Sequence, residues 1–363
     1  MGSNTFDDEL EMVVTKQATS TVGRDGAILA VTEGWSNGLA LVDPSEGGVG
    51  VVARIEVGIA PWAVAVHEPS ARAYVSTAEG LAVVDLDGRV RIALVPFLDQ
   101  AERFEYGEER PGGTGVVVTP DGLTVYVGVS REGRESSVEV FDTASGAFVR
   151  SLDVGLRPFD VQISPSGHEV YTIDHDSFTV HTIRLADHEV VRAVVAPYGV
   201  EGGLLSHQKP HYAAVSADGR LYMPYQGKGL VIFDPATQEY ETREMTGDTH
   251  QHGVGLTVDG RLLVVGVGAV GGATCGPSLT IRDLANDRET VLPLEKGHEN
   301  VIEWLSPADG RSKAIMMGGS TSRGPWDGLT IVDLETLERY EVEVAGRPQM
   351  GVLLSGTSIP QFS

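Results

Sequence analysis

Five of the ten histidines fall in three short segments of the second half of the chain. These segments are SHQKPHYAAV with His207 and His211, DTHQHGVGL with His250 and His252, and KGHENVIEW with His298. Neutral imidazoles that converge from separate elements bind borderline divalent transition metals such as iron, copper or zinc. We therefore expect His211, His252 and His298 to hold one such ion. The alternative is that these histidines cap strands by hydrogen bonding to backbone carbonyl groups.

Candidates for proton transfer stand beside the expected ligands. Glu299 follows His298 directly, and it can act as a fourth ligand or as a base through metal-bound water. His250 and His207 are the other candidates. A redox-inactive ion would suit hydrolysis, lactone opening or elimination, whereas iron or copper would suit oxidation, and imidazole ligands alone do not separate these reactions.

Cationic and aromatic residues in related segments are suited to binding a small-molecule substrate. Arg157 and Arg347 each precede a proline, and an arginine there can hold a carboxylate bidentately or pair with an acidic neighbour. The aromatic candidates for the wall of a pocket are Trp35, Trp62, Trp326 and His175. The alternative role of the tryptophans is packing between elements.

The elements that must position these residues repeat along the chain. Seven apolar strands end in a polar turn, at intervals of 42 to 57 residues, and the turn residues are Asp43, Asp85, Asp142, Arg184, Asp234, Asp283 and Asp333. Before each of them another apolar strand turns at glycine and returns, as in VVVTPDGLTVYVGV. Four short strands in such a period are typical of a β-propeller blade. The sequence predicts an all-β, seven-bladed propeller with four-stranded antiparallel blades around a central channel.

One domain is expected to span residues 19–363, after an N-terminal segment of residues 1–18. The ring can close in two ways. Residues 347–354 resemble one more innermost strand for the first blade, and Ser20-Thr21-Val22 compete for the same place.

The long insertions indicate which face of the ring carries the site. In a propeller, the connections between blades and the loops between second and third strands share one face. All four long insertions belong to these classes: residues 96–113, 196–211, 268–277 and 318–328. Long loops on a rigid scaffold commonly carry binding and catalysis. His211 and His252 begin innermost strands at this face, at a position held in earlier blades by Trp62, Thr114 and Phe159.

The charge balance excludes two classes of partner. The chain has 51 acidic and 27 basic residues and a net charge of −24, which repels nucleic acid and anionic membrane surfaces. No stretch approaches the roughly 18 apolar residues that would span a bilayer.

The start MGSNTFDDELEMVV lacks the basic and apolar regions of a signal peptide, which predicts a cytoplasmic protein. If Met1-Gly2-Ser3 replaces a cleaved signal peptide, the protein is periplasmic or secreted. The oligomeric state is left open.

The blade pattern P-x-x-V-x-[IV]-S-x-x-G-x-x-[VL]-Y-[VTM], followed by [IV]-x-D-x-x-[ST], resembles the YVTN-repeat propellers and the lactonase-like propellers near them. The matching stretches include residues 158–173 and 210–223. Some members of this group are lactonases or lactonising enzymes, and others bind ligands or proteins. We therefore expect a metal-dependent propeller enzyme that acts on a small metabolite. The alternatives are a non-catalytic binding propeller and a metal-free lactonase that uses His, Arg and Glu.

Overall fold

Seven four-stranded antiparallel sheets surround a common axis in the computed structural model, which describes residues 27–195, 209–227, 229–247, 253–267 and 276–354. The sheets are the blades of a propeller, and the predicted fold is confirmed. The described residues contain one short 3-10 helix, Glu68–Ser70. None of the described helices is long and apolar enough to cross a membrane.

The strands follow the chain from blade to blade. Blade 1 contains β1 (Ile28–Glu33), β2 (Gly38–Asp43) and β3 (Gly50–Glu56). Blade 2 contains β4 (Val64–His67), β5 (Arg72–Ser76), β6 (Leu81–Asp85) and β7 (Val90–Val95). Blade 3 contains β8 (Gly112–Val118), β9 (Thr124–Ser130), β10 (Ser137–Asp142) and β11 (Ala147–Asp153). Blade 4 contains β12 (Pro158–Ile163), β13 (Glu169–Asp174), β14 (Thr179–Arg184) and β15 (Val190–Val194).

The remaining blades repeat this order. Blade 5 contains β16 (Ala214–Val215), β17 (Leu221–Tyr225), β18 (Gly229–Asp234) and β19 (Glu239–Glu244). Blade 6 contains β20 (Val254–Leu256), β21 (Arg261–Gly266), β22 (Ser278–Asp283) and β23 (Arg288–Pro293). Blade 7 contains β24 (Asn300–Leu305), β25 (Ser312–Thr321), β26 (Gly324–Asp333) and β27 (Arg339–Glu343). The last strand, β28 (Pro348–Leu354), joins blade 1.

The C-terminal strand closes the ring. β28 pairs antiparallel with β1, with Leu353 opposite Leu29, and it forms the innermost strand of blade 1. This outcome selects the first of the two predicted closures, and Ser20-Thr21-Val22 lie outside the described residues. Because the last strand completes the first blade, both ends of the repeat depend on the same sheet.

The repeated aspartates end the third strand of each blade for a local reason. The Asp142 carboxylate accepts a hydrogen bond from the Ser145 backbone N–H at 2.7 Å, and Asp234 accepts one from Ala236 at 2.9 Å. These side chains fold the chain back into the outer strand, as aspartate does in Asx turns. Arg184 departs from this pattern and instead donates to Asp187, with 2.9 Å between Nε and Oδ1.

Apolar side chains from neighbouring blades form the core between the sheets. The innermost strands approach closely in places. A Cβ atom on Gly115 of β8 would lie 2.3 Å from the Val161 backbone nitrogen of β12, so only glycine fits there. The ring therefore depends on tight contact near the axis.

Two connections on the face with the long insertions have defined structures. Residues 318–328, expected as a loop, form the end of a long hairpin in which β25 and β26 stay paired as far as Thr321 and Gly324. Residues 96–111 cross from blade 2 to blade 3 as a strap. Leu98 and Asp99 donate backbone hydrogen bonds to the Glu139 carboxylate, at 2.7 and 3.3 Å. Residues 196–208 and 268–275 of the other two insertions lie outside the described residues.

Candidate functional site

Aromatic side chains from different blades meet at the mouth of the central channel. Trp62, Thr114, Phe159 and His211, which the sequence places at equivalent positions, are all buried. The Phe159 ring packs edge-on against Trp62, with centroids 5.1 Å apart, and against His211 at 4.7 Å. The starts of the innermost strands thus form a continuous floor across blades 2, 4 and 5.

A cavity of about 320 Å³ lies at this mouth. Its walls come from blades 1 and 7, the start of blade 2 and the strap, and they include Trp35, Trp62, Glu108, Arg110, Glu299 and Gln349. The volume is at the lower end of the range for ligand pockets, roughly 300 to 1,000 Å³. It is suited to a small metabolite.

Two glutamates, Glu108 and Glu299, line this cavity, and the charge of Glu108 acts on Glu299. Burial raises the pKa of Glu108 to about 7, while the charge of Arg157 lowers it and that of Glu109 raises it. Burial and the charge of Glu108 raise the pKa of Glu299 well above its usual value. Glu108 Oε1 and Glu299 Oε2 are buried and have no hydrogen-bond partner among the described residues. Because two nearby buried carboxylates resist double ionisation, we expect the pair to retain a proton near neutral pH.

The long hairpin of blade 7 positions Glu299. The Glu299 backbone N–H donates to the Met317 carbonyl at 2.8 Å, and its own carbonyl accepts from the Gly253 N–H at 2.9 Å. Gly319 has a φ of +70°, and a Cβ atom there would lie 2.6 Å from the Glu299 Cβ. The bulge between Met317 and Gly319 therefore makes room for the glutamate.

The strap positions Glu108. Tyr106 stacks on Trp35 of the β1–β2 turn, with ring centroids 5.2 Å apart. The Tyr106 hydroxyl also donates to Asn37 Oδ1 at 2.8 Å. These contacts fix the strap two residues before Glu108, above the mouth of the channel.

Arg110 lies at the end of the strap and is 3% exposed. Its Nη2 donates to the carbonyls of Ala60 at 2.7 Å and Gly113 at 2.8 Å. Burial lowers the pKa of Arg110 to about 9. No carboxylate of the described residues forms an ion pair with it, and its Nε lacks an acceptor among them. A buried positive charge without an acidic partner is unusual and points to a ligand.

A second cluster surrounds His175 on the blade 4 side of the mouth. The His175 Nδ1 lies 2.8 Å from Asp176 Oδ1, and the same carboxylate forms ion pairs with Arg157 at 3.0 Å and Lys209 at 2.7 Å. Burial lowers the pKa of His175 to about 4, although Asp176 opposes this shift. The rings of His175 and His211 are 4.4 Å apart. His175 is therefore a neutral imidazole that Asp176 orients.

His298 contacts the third strand of its own blade. Its Nε2 lies 2.9 Å from Thr330 Oγ1, and its ring packs edge-on against Trp326 at 5.0 Å. Both partners belong to β26. Burial lowers the pKa of His298 to about 3, so the ring is neutral. Its neighbour Glu299, rather than His298, lines the cavity.

The metal centre stays a prediction. His211 and His298 are described, whereas His252, His207 and His250 lie outside the described residues. Within the described ranges, no group of three or more His, Cys, Asp or Glu side chains is arranged to hold a metal ion.

The predicted substrate-binding residues have different surroundings. Arg157 pairs with Asp176, and the Arg347 guanidinium lies 3.9 Å from the centroid of the Trp35 ring. Trp35 and Trp62 line the cavity, while Trp326 packs between His298 and Lys296. Sequence reasoning missed Glu108. The feature of the sequence that could have indicated Glu108 is the charged run EERP, at the end of a long insertion on the functional face.

The comparisons with known proteins identify the fold. No family model and no curated protein matches the chain. Solved structures do match it. Hydrazine synthase of Kuenenia stuttgartiensis is 19% identical, with a TM-score of 0.61, and the match covers 90% of this chain and 95% of that one. Dihydro-heme d1 dehydrogenase NirN in complex with DHE is 14% identical, with a TM-score of 0.59, over 92% of this chain and 76% of that one.

A third similar structure is the periplasmic gluconolactonase PpgL of Pseudomonas aeruginosa. It is 17% identical, with a TM-score of 0.63, and the match covers 90% of this chain and 99% of that one. At these identities the likeness shows a shared fold and leaves the activity to be argued from the site. The chain is a seven-bladed β-propeller similar to propellers of several enzymes.

Proposed function

We propose that this protein is an enzyme that opens the ring of a small, polar lactone by acid–base catalysis at Glu108 and Glu299. The observation that carries the proposal is that two glutamates line the cavity at the channel mouth, each with a buried carboxyl oxygen that has no hydrogen-bond partner among the described residues. A gluconolactonase among the structures of similar fold makes lactone opening a reasonable reaction class. The neutral, oriented imidazole of His175 is a further polar group on the same face.

The pair supplies both proton transfers that the reaction requires. Ionised Glu108 takes a proton from water, and the oxygen of that water attacks the carbonyl carbon of the lactone. The bond between this carbon and the ring oxygen then breaks, and protonated Glu299 gives its proton to the departing oxygen. The product is a hydroxy acid, and a proton passes from Glu108 to Glu299 to restore the pair. A general base and a general acid typically contribute about 10²-fold to 10⁴-fold each.

Isosteric substitutions test the proposal. Hydrolysis of a panel of lactones that includes D-glucono-1,5-lactone is measured for the wild type, Glu108→Gln and Glu299→Gln, with the uncatalysed rate subtracted. We expect each variant to lose about 10²-fold or more in kcat. Glu105→Gln, at an exposed position on the strap, is the matched control and retains wild-type activity. If no lactone is opened by the wild type, or if both cavity variants remain fully active, the proposal is wrong.

A metal-dependent form of this enzyme is the second candidate. It is supported by the closeness of His175 and His211 at the channel mouth, where the sequence also places His252. Elemental analysis of protein purified without a metal-affinity column tests it, with His211→Ala beside the wild type. Stoichiometric iron, copper or zinc that is lost in the variant supports this form. A wild-type protein that neither contains nor acquires a metal contradicts it.

A further inference from the structure

Two buried N–H groups beside the cavity have no acceptor among the described residues. They are Nε1 of Trp62 and Nε of Arg110, and each residue is 3% exposed. Buried donors in folded proteins are paired in the great majority of cases. Both residues line the cavity, so a group bound there is available to accept these hydrogen bonds.

The two donors are neighbours and are held in place. The Arg110 guanidinium carbon lies 5.7 Å from the centroid of the Trp62 ring. The Nη1 and Nη2 atoms of Arg110 use three of their four N–H groups on backbone carbonyls, which leaves one N–H of Nη1 and the orphaned Nε–H as donors. Trp62 is fixed by its backbone bond to Ser76 at 2.8 Å and by the Phe159 ring. A ligand therefore meets an already ordered pair of donors, which reduces the entropy lost on binding.

The charge of the site selects the kind of group. Arg110 brings one positive charge that no carboxylate of the described residues pairs with. A monoanion with two oxygens balances this charge and can accept from two N–H groups at once. A dianion would place a second negative charge next to Glu108 and Glu299, which share the cavity.

We infer that Trp62 and Arg110 form a carboxylate-binding site in the same cavity as the glutamate pair. This inference rests on the proposed function for the source of the carboxylate, because ring opening converts the lactone carbonyl into a carboxylate. The donors that hold this product group also face the negative charge that develops on the carbonyl oxygen during attack. The enzyme then binds the hydroxy acid product through its newly formed acid group.

The indole N–H resonance of Trp62 reports directly on this contact. It is identified in the ¹⁵N-correlated NMR spectrum of the whole protein by its disappearance in Trp62→Phe. The protein is titrated with sodium acetate as the carboxylate probe, and with acetamide and sodium chloride as neutral and ionic controls. We expect acetate alone to shift this resonance saturably. We also expect Arg110→Lys, which keeps the charge and loses Nε, to weaken the response about tenfold or more.

Three results would overturn the inference. These are an unchanged Trp62 resonance in excess acetate, an equal response to acetamide, and a stronger response than that to acetate when the same titration is made with inorganic phosphate. Trp62→Phe keeps the ring that packs on Phe159, and it should also weaken binding of D-gluconate relative to wild type, measured by calorimetry. The NMR readout needs no turnover. If the protein responds to acetate but opens no lactone, the carboxylate-binding site is supported and the proposed function is wrong.

Discussion

At the scale of single residues, the glutamate pair links the site to the stability of the protein. Burial disfavours the charged forms of Glu108 and Glu299 and so raises the pKa of each carboxyl group. A carboxyl group whose pKa is raised on folding stabilises the protein below its unfolded pKa. That contribution is lost as pH rises through the folded pKa. The two buried carboxyl groups therefore cost stability at neutral and alkaline pH.

The variant Glu299→Gln should remove this cost. The amide has almost the same shape as the carboxyl group and no charge at any of these pH values. We expect the melting temperature of the variant to exceed that of the wild type at pH 8. The difference should shrink towards pH 5, because Glu299 of the unfolded chain then approaches its own pKa and less work is needed to protonate it on folding. Thermal denaturation over this pH range measures the effect. A wild-type advantage at pH 8 would mean that Glu299 is ionised and well paired.

Glu299 could be identified as a candidate from the sequence, whereas its partner Glu108 was missed. His298 and Glu299 are adjacent, and the sequence alone does not fix which of them faces the channel, because neighbouring positions in extended chain face opposite ways. The structure assigns Glu299 to the cavity and His298 to β26. Glu108 lies in a strap whose path depends on Trp35, Asn37 and Glu139, which are distant in sequence.

At the scale of elements, the bulge in β25 determines where Glu299 lies. Gly319 has a positive φ and lies close to the Glu299 side chain, so both the backbone conformation and the available space require glycine. The blades themselves were predictable, because apolar alternation and Asx turns are local signals. The extension of the blade 7 hairpin was not, since GGSTSRGPWDG is rich in glycine and polar residues and was expected to form a loop.

Substitution of Gly319 by alanine should lower both stability and activity. Gly310 has nearly the same φ, +69°, and nothing lies within 4 Å of its position, so Gly310→Ala reports the backbone strain alone. We expect Gly310→Ala to cost about 1 kcal/mol. Gly319→Ala should cost more and reduce turnover, because its methyl group displaces Glu299. Chemical denaturation and the lactone assay measure both effects. Equal stability losses and unchanged turnover would show that Glu299 tolerates the added methyl group.

At the scale of the whole molecule, closure of the ring joins the first and last strands to the functional face. Thr32 of β1 donates through Oγ1 to the Trp62 carbonyl at 2.8 Å and accepts from the Met350 N–H at 3.1 Å. One hydroxyl thus connects blade 1, the start of blade 2 and the closing strand β28. Because Trp62 lines the cavity, this hydroxyl connects the cavity wall to the strand that closes the ring.

Loss of this hydroxyl should weaken the whole propeller. Thr32→Val keeps the volume and leaves buried backbone groups without a partner, so we expect a loss of about 1 to 3 kcal/mol in the free energy of unfolding. Thr32→Ser, which keeps the hydroxyl, should lose less. Equilibrium unfolding in urea compares the two variants. A valine variant as stable as the serine variant would show that the Thr32 hydroxyl does not stabilise the closure of the ring.

The pH dependence of kcat/KM for lactone opening tests the central claim most directly, because it reports the ionisation of the free enzyme's acid and base. With one group as base and the other as acid, the profile is bell-shaped. Its rising limb has an apparent pKa of about 7, set by the pair around Glu108, and disappears in Glu108→Gln. Its falling limb lies at higher pH and disappears in Glu299→Gln. A flat wild-type profile, or a rising limb that survives in Glu108→Gln, would contradict catalysis by this pair.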